Sequence, residues 1–364
     1  MSKRWNVPRL DYQPPRPRKY NPPIGLIGCG GISSTHLAAY RDMGLNVVAL
    51  CDRIASRARA RRKEFFPDAA VYTDYNDLLR CDDIEVIDIA THPQDRAYLI
   101  PAAIDARKHV LSQKPFVMDL SHGRRFVELA EKRGVQLAVN QNGRWAPHFS
   151  YLRAAVAAGL VGDVCAVHAA VHWDHEWIKS RPFNRVHHIV LYDFAIHWFD
   201  MVHCLMQERS AKRVFATLAR ASHQTARPPL LGQALIEYDD AQASLVFDAA
   251  TRQGILDSTY VTGSAGTLQS VGPHLQDQTV TVSTRRGEAS PKIRGTWFRE
   301  GFMGTMGELL CAIEKKRAPL NNAADNLNSL ALCFAAVVSA ETGKPQDPRR
   351  VTRVPVKTCS VAEE

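Results

Sequence analysis

The sequence predicts a two-part α/β protein, with a doubly wound parallel sheet first and then an α+β domain. The second domain is built on an open, mostly antiparallel sheet flanked by helices. Three observations carry that expectation. From residue 24 to about 140, short apolar runs alternate with helix-length segments, as in a parallel sheet covered on both faces. Beyond about residue 145 the strand-like runs follow one another with few helices between them. The length of 364 residues, 45% hydrophobic and 23% charged, fits a folded chain of more than one domain.

Residues 1–22 form a basic, proline-rich arm. Residues 1–23 hold six of the chain's 20 prolines, which favour extended backbone and remove ladder donors. Lys3, Arg4, Arg9, Arg16, Arg18 and Lys19 stand against Asp11 alone, so five of the formal +9 charges sit on the first 20 residues. The remainder of the chain lacks the concentrated basic face that nucleic acid requires. The arm reads either as a disordered tail or as an extension over a neighbouring subunit.

The dinucleotide-binding domain is expected over 23–145. Ile24–Gly28 is the first strand, 34–43 a helix and Asn46–Cys51 the second strand, followed by a basic helix at 55–64. Val86–Ala90, Lys108–Ser112 and Val135–Asn140 are further strands. Helices at 95–106 and 119–133 separate them, the second closed by Gly134. The substrate-binding and oligomerisation domain is expected over 146–364. It has helices at 147–158 and 193–206 and a strand near Val164–His172. Strands follow at 212–220, 230–238, 243–249, 257–262, 266–271 and 278–284. Helices at 304–316 and 323–342 close the chain, the last stopped by Gly343 with Pro345 beyond it.

No run of 18 apolar residues marks a membrane span, and the N-terminus leads into prolines where a secretory signal would place an apolar segment. The eight cysteines are scattered without a CxxC pair, which reads as reduced thiols in a cytoplasmic protein.

Gly28-Cys29-Gly30-Gly31-Ile32-Ser33 follows a strand and opens a helix, the place where a dinucleotide pyrophosphate meets helix-terminal N–H groups. Gly28 suits a tight turn and Gly30 a close backbone approach. Ser33 replaces the third glycine. Asp52 ends the second strand 24 residues after Gly28, where a carboxylate grips the adenosine ribose hydroxyls. It favours NAD over NADP by repelling a 2′-phosphate. Within the basic run that follows, Arg53 is the residue placed to stack on adenine or reach a 2′-phosphate, which keeps NADP open. The other arginines read as a solvated helix face.

Two segments carry chemistry. Lys114 ends a parallel strand at the crevice where ligands bind, and Pro115 holds it extended. Asp193 and His197 are i,i+4 neighbours on an expected helix, so the carboxylate can orient the imidazole for acid–base work.

In this order these segments resemble the Gfo/Idh/MocA oxidoreductase family. The resemblance runs from about residue 24 to 348. It includes the glycine loop with His36, Thr91-His92-Pro93, Lys108-His-Val-Leu-Ser-Gln-Lys114-Pro115, Asn140 to Pro147, the Asp193/His197 segment and Ser339–Gly343. It implies a Rossmann nucleotide domain, an NAD(P)-linked reaction on a sugar, polyol or inositol-like substrate, and a homodimer or homotetramer. It also implies that Lys114, Asp193 and His197 line the substrate site. Gly28, Cys29, Gly30, Gly31, Ile32, Asp52, Arg53, Thr91, His92 and Lys114 are expected at the cofactor. The chain departs from the common pattern at Gln113 (usually Glu), at Arg96 (often His) and at His187-His188-Ile189, where small glycines are usual.

Histidines 172, 175, 187, 188 and 197 raise a metal alternative. His172 and His175 fall on opposite faces of a strand and no HExxH is present, so no metal is expected. Trp173, Trp177 and Trp198 suit either a sugar-stacking wall or core aromatics. Arg144 suits either a salt bridge or a cofactor contact. Two other functions share the scaffold: an NAD-dependent glycoside hydrolase and a non-catalytic nucleotide sensor.

Overall fold

The structure is a computed structural model, and it describes residues 5, 7–207, 209–355 and 357–359. The chain divides into two compact units, one of Gln13–Ala146 with Trp297–Leu327 and one of Met1–Tyr12, Pro147–Thr296 and Asn328–Glu364.

The first unit is built on a six-stranded parallel sheet. Its strands are β1 (Ile24–Ile27), β2 (Val47–Cys51), β3 (Ala70–Tyr72), β4 (Val86–Ile89), β5 (His109–Gln113) and β6 (Leu137–Asn140), in the order β3-β2-β1-β4-β5-β6. That order is the doubly wound arrangement, whose strand ends meet at a switch point between β1 and β4. Helices α1 (Ser33–Met43), α2 (Ala55–Phe65), α3 (Tyr75–Leu79), α4 (Pro93–Asp105) and α5 (Leu120–Arg133) make the crossovers. Strands β1, β4 and β6 are buried at every position, as a sheet covered on both faces demands. Gly44 and Gly134 end α1 and α5 in the left-handed conformation. The short β3 and α3 have no counterpart in the sequence reading. Each is below the length at which apolar periodicity can be recognised.

Helix α8 (Trp297–Glu314) belongs to this unit, whereas the sequence reading places it with the C-terminal half and starts it at about 304. Its glycines at three-residue spacing explain the packing. A Cβ on Gly304 would lie 2.0 Å from Trp145 Cγ, and one on Gly307 would lie 2.1 Å from the Pro15 carbonyl. A bare helix face thus meets the 142–145 turn and the arm at backbone distance. Glu314 then accepts the backbone N–H groups of Arg18, Lys19 and Tyr20 at 2.7–3.0 Å. The disordered-tail reading therefore fails for these residues. Residues 13–22 lie on their own chain. In the second unit, Trp5 Nε1 donates to the Gly287 carbonyl and the Arg294 N–H to the Tyr12 hydroxyl.

The second unit holds an eight-stranded sheet in the order β14-β13-β12-β11-β7-β10-β9-β8. Its strands are β7 (Val164–His172), β8 (Arg213–Ala219), β9 (Leu231–Glu237), β10 (Gln242–Asp248), β11 (Leu256–Gly263), β12 (Gly266–His274), β13 (Asp277–Thr284) and β14 (Gly287–Ala289). Only the β7–β10 pair is parallel. Helices α6 (Pro147–Ala157), α7 (Ile196–Met206) and α9 (Ala323–Thr342) complete the unit. Strands β8, β9 and β10 alternate buried and accessible residues, so one face carries the core. On the other face Leu235 is 59% exposed. Helix α9 is long and apolar enough to cross a membrane, but Leu330 and Cys333–Val337 are fully buried within the protein. All eight cysteines are free thiols.

Candidate active site

The turn after β1 is shaped by Gly28, whose φ of +99° is costly for any residue with a Cβ. A Cβ there would also lie 2.7 Å from Thr91 Cγ2, which places Thr91 against the loop. At Gly30 and Gly31 an added Cβ would meet nothing within 4 Å, so the loop's outer side is open where a diphosphate would approach. Asp52 braces the loop. Its Oδ2 accepts the Cys29 N–H and its Oδ1 the Ile54 N–H, each at 2.9 Å. Each oxygen keeps a lone pair, and Asp52 is partly exposed, so ribose hydroxyls still have acceptors. Ile32 is exposed at the start of α1. The Cys29 thiol is pushed up to about 12, by burial first and then by Asp52, and stays protonated. The chain's residues thus fit a dinucleotide.

The cation that reaches this loop is Arg61. Its Nη2 donates to the Gly30 carbonyl at 3.2 Å and its Nε to Ser33 Oγ at 3.1 Å. Ser33, standing where a third glycine is usual, itself donates to the Gly30 carbonyl at 2.6 Å. Arg53 is exposed, and its charge acts on Tyr98 of α4. The solvated reading of the basic helix therefore fails at Arg61. One helical face turns that side chain back onto the loop, a placement that a run of like charges does not reveal. His92 is the exposed residue preceding α4.

Lys114 follows β5 and is half-buried, joined to Pro115 by a cis peptide bond. Arg96, 2% exposed, donates to the carbonyls of Thr91, Gln113, Lys114 and Pro115. One guanidinium fork therefore holds the backbone on both sides of Lys114, which a single ring nitrogen at this position would not do. From below, Gln113 Oε1 accepts the Lys114 N–H at 2.6 Å and its Nε2 donates to His36 Nε2 at 2.9 Å. His36 Nδ1 lies 2.7 Å from Asp88 Oδ2, which also accepts the Tyr40 hydroxyl at 2.7 Å. Asn140 Nδ2 lies 3.2 Å from His36 Nε2, and Thr305 donates to its Oδ1 at 2.9 Å. The departures at Arg96 and Gln113 are thus parts of one support under Lys114. The sequence marks both residues but cannot show their convergence. Arg144 is buried and pairs with Asp325 at 2.7 Å, which realises its salt-bridge reading.

In the second unit, Asp193 and His197 do not share one regular helix. Asp193 lies in a π turn, Val190–Phe194, in which the Ala195 N–H donates to the Val190 carbonyl at 2.8 Å. His197 lies in the first turn of α7. Both side chains are half-buried. Such wide turns often re-aim functional side chains. Beside them stands an aromatic group. His175 packs its ring 4.3 Å from Trp173 and 4.2 Å from Phe194, and burial pushes its pKa down to about 4. Trp177 is 49% exposed and flanks His175 and Phe194, whereas Trp198 is buried. The three tryptophans therefore divide into the exposed Trp177, the half-buried Trp173 and the core Trp198. His172 is paired with Asp248 at 2.8 Å.

Comparison with known proteins decides the family. An oxidoreductase family model with an NAD-binding Rossmann fold matches residues 23–141, and the GFO/IDH/MocA C-terminal domain model matches 149–269. The chain belongs to the Gfo/Idh/MocA oxidoreductase family. Its cofactor is NAD, as in the family's NAD-binding Rossmann fold. It is similar to D-apiose dehydrogenase of Paraburkholderia graminis, 26% identical over 332 residues, or 88% of each chain. It is also similar to 1,5-anhydro-D-fructose reductase of Ensifer adhaerens, 27% identical over 331 residues, 88% of this chain and 96% of that one. In fold it matches an Agrobacterium radiobacter oxidoreductase solved with NAD+, L-tartaric acid and magnesium. The TM-score is 0.81 at 20% identity, covering 90% of this chain and 99% of that one.

Proposed function

We propose that this Gfo/Idh/MocA protein interconverts a secondary alcohol and a ketone on a sugar, polyol or inositol-like ring, with NAD in preference to NADP. The observation that carries the reading is the open glycine loop braced by Asp52. It offers a dinucleotide both helix-terminal N–H groups and a ribose acceptor. The relatives named for a pentose and an anhydro-sugar support the substrate class.

The nicotinamide of the bound cofactor supplies hydride chemistry. The chain's residues supply the proton path and the charge. His197 takes the hydroxyl proton as oxidation proceeds and returns it in reduction. The Lys114 ammonium donates to the reacting oxygen and stabilises the negative charge that develops on it. Asp193 accepts from a neighbouring hydroxyl and orients His197. The Arg96 fork and Gln113 keep Lys114 from drifting, which matters because misplacement of about 1 Å can cost ~100-fold in rate. Trp177 and Phe194 offer apolar faces to the C–H side of a ring. The exposed apolar face of the eight-stranded sheet, with Leu235 and Tyr260, supports a homo-oligomer.

The test is a panel of pentoses, anhydro-sugars, inositols and aldonates, each incubated with NAD and followed in the reduced-nicotinamide absorption band. Net NADH with at least one member is the expected result. Cleavage of a glycoside without NADH would replace this reading with hydrolysis, and cofactor binding without turnover would replace it with sensing.

A further inference from the structure

Away from the glycine loop and Lys114, the second unit gathers a set of metal-type donors from two distant stretches of chain. His187 and His188 lie on the turn that leads into the Asp193 segment, and Glu341 lies in the last turn of α9. The C-terminal tail is drawn to the same place by short pairing. Val186 bridges Thr358, the His187 N–H donates to the Lys357 carbonyl and the Cys359 N–H to the Arg185 carbonyl. One donor atom from each of His187, His188 and Glu341 lies within 4.8 Å of the others. His188 Nε2 is 2.8 Å and His187 Nε2 is 3.5 Å from the same oxygen, Glu341 Oε1. The two rings stand nearly perpendicular, at 89°, so their nitrogens approach that oxygen from different directions.

We propose that His187, His188 and Glu341 form a structural zinc site that clips the lead-in to the Asp193 segment onto α9. Two imidazoles and one carboxylate are a familiar donor set for a divalent transition ion, with water completing a tetrahedron. Donors on a tetrahedral ion with bonds of ~2.0–2.2 Å stand ~3.3–3.6 Å apart. The His188–Glu341 pair at 2.8 Å therefore opens slightly, the His187–Glu341 pair at 3.5 Å already fits, and the widest separation, within 4.8 Å, closes. His188 is almost wholly buried and His187 only partly accessible, so neither ring has free rotation to lose on ligation. Cys359 Sγ lies 3.8 Å from His187 Nδ1, on the ring edge away from Glu341. There it would accept a weak hydrogen bond from Nδ1–H and leave Nε2 to the metal, serving as the outer partner of that ring.

A cation already sits against this carboxylate. Lys357 Nζ is 3.1 Å from Glu341 Oε1 and 3.2 Å from Oε2. Its side chain is half exposed, so it can swing into water, giving up a pair of the kind worth ~0–1 kcal/mol. The lysine is thus the metal's competitor, holding the carboxylate in place when no ion is bound. The sequence reading sets a metal aside because it weighs histidines alone. Glu341 lies 153 residues from His188, beyond any local motif.

The experiment uses the full chain stripped with a chelator and titrated calorimetrically with zinc, with cobalt(II) as a spectroscopic probe. One zinc per chain and visible tetrahedral cobalt bands are expected. Glu341→Gln, at an accessible position, should weaken zinc at least about tenfold, the loss seen even for outer-shell changes. His188→Asn serves as a second variant if it folds. Lys357→Met should bind zinc more tightly than the parent. Absence of uptake by the parent would overturn the site. So would uptake unchanged in Glu341→Gln, or a Lys357→Met protein that binds no more tightly.

Discussion

Each sheet buries one aspartate, and the two are held in opposite ways. Asp88 on β4 is fully buried, and one of its oxygens takes both His36 and the Tyr40 hydroxyl. Asp257 on β11 is 2% exposed, and neither oxygen has a hydrogen-bond partner among the described residues. Its cross-strand neighbours are Gly272 and Val171, which offer no side-chain donor. Burial alone pushes its pKa up to about 7. The first carboxylate is a strut in a polar lattice running from α1 to Lys114. The second is a charge that the fold disfavours. A buried polar network fixes geometry only when its members bond one another, and the unit carrying Lys114 is built that way.

The largest effect should come from the ends of that lattice and its counterpart. Lys114→Ala and His197→Ala should each lower kcat by about 10²–10⁴, while NAD affinity, measured separately by titration, changes little. Next in size is Arg96→Met. It strips donors from four carbonyls around Lys114 and should cost roughly 2–4 kcal/mol in a denaturant midpoint experiment, together with a fall in kcat. Arg96→Lys should recover little of either, since an ammonium cannot reproduce the fork. Recovery by lysine would show that only charge, and not geometry, matters at this position.

Asp257 offers a test with the opposite sign. Its folded pKa lies above the ordinary 3.8, so the native state holds the proton more tightly than the unfolded chain. Stability should therefore be greatest below pH 4 on this account and fall as pH rises toward about 7, with no further loss above it. Asp257→Asn should flatten that slope in thermal melts between pH 4 and 8. It should stabilise the protein at pH 8 and leave it near neutral at pH 4. A slope unchanged in the variant would mean that other groups set it.

The smallest effects concern cofactor choice. Asp52→Asn removes charge and keeps shape, and should move the NAD/NADP preference toward NADP by about tenfold. Arg61→Ala should weaken NAD several-fold by loosening the Gly30 carbonyl, without altering kcat at saturation. A change in kcat alone would place Arg61 outside cofactor binding.

The cofactor half was legible because its signals are local. Gly28, Gly30 and Asp52 lie in one strand–loop–helix–strand unit whose spacing is set by backbone geometry. The longer strands of both sheets likewise announce themselves by apolar runs, whereas the three-residue β3 and β14 do not. What stayed hidden depends on residues far apart in the chain. Arg61 folds back 31 residues to Gly30, and Arg96 reaches 18 residues to Lys114. Helix α8 joins the first unit through Gly304 and Trp145, more than 150 residues apart. The π turn at Asp193 was invisible because one extra residue in a turn leaves the local composition helical.

The proposed reaction has Lys114 and His197 acting on one hydroxyl. A double-mutant cycle tests it most directly, with kcat measured on the best substrate of the panel for the parent, Lys114→Ala, His197→Ala and the combined protein. If both groups serve one proton and charge transfer, the double variant should be far less impaired than the product of the two single losses, because residues acting as a unit are not additive. Losses that multiply fully would show two independent contributions and contradict the account.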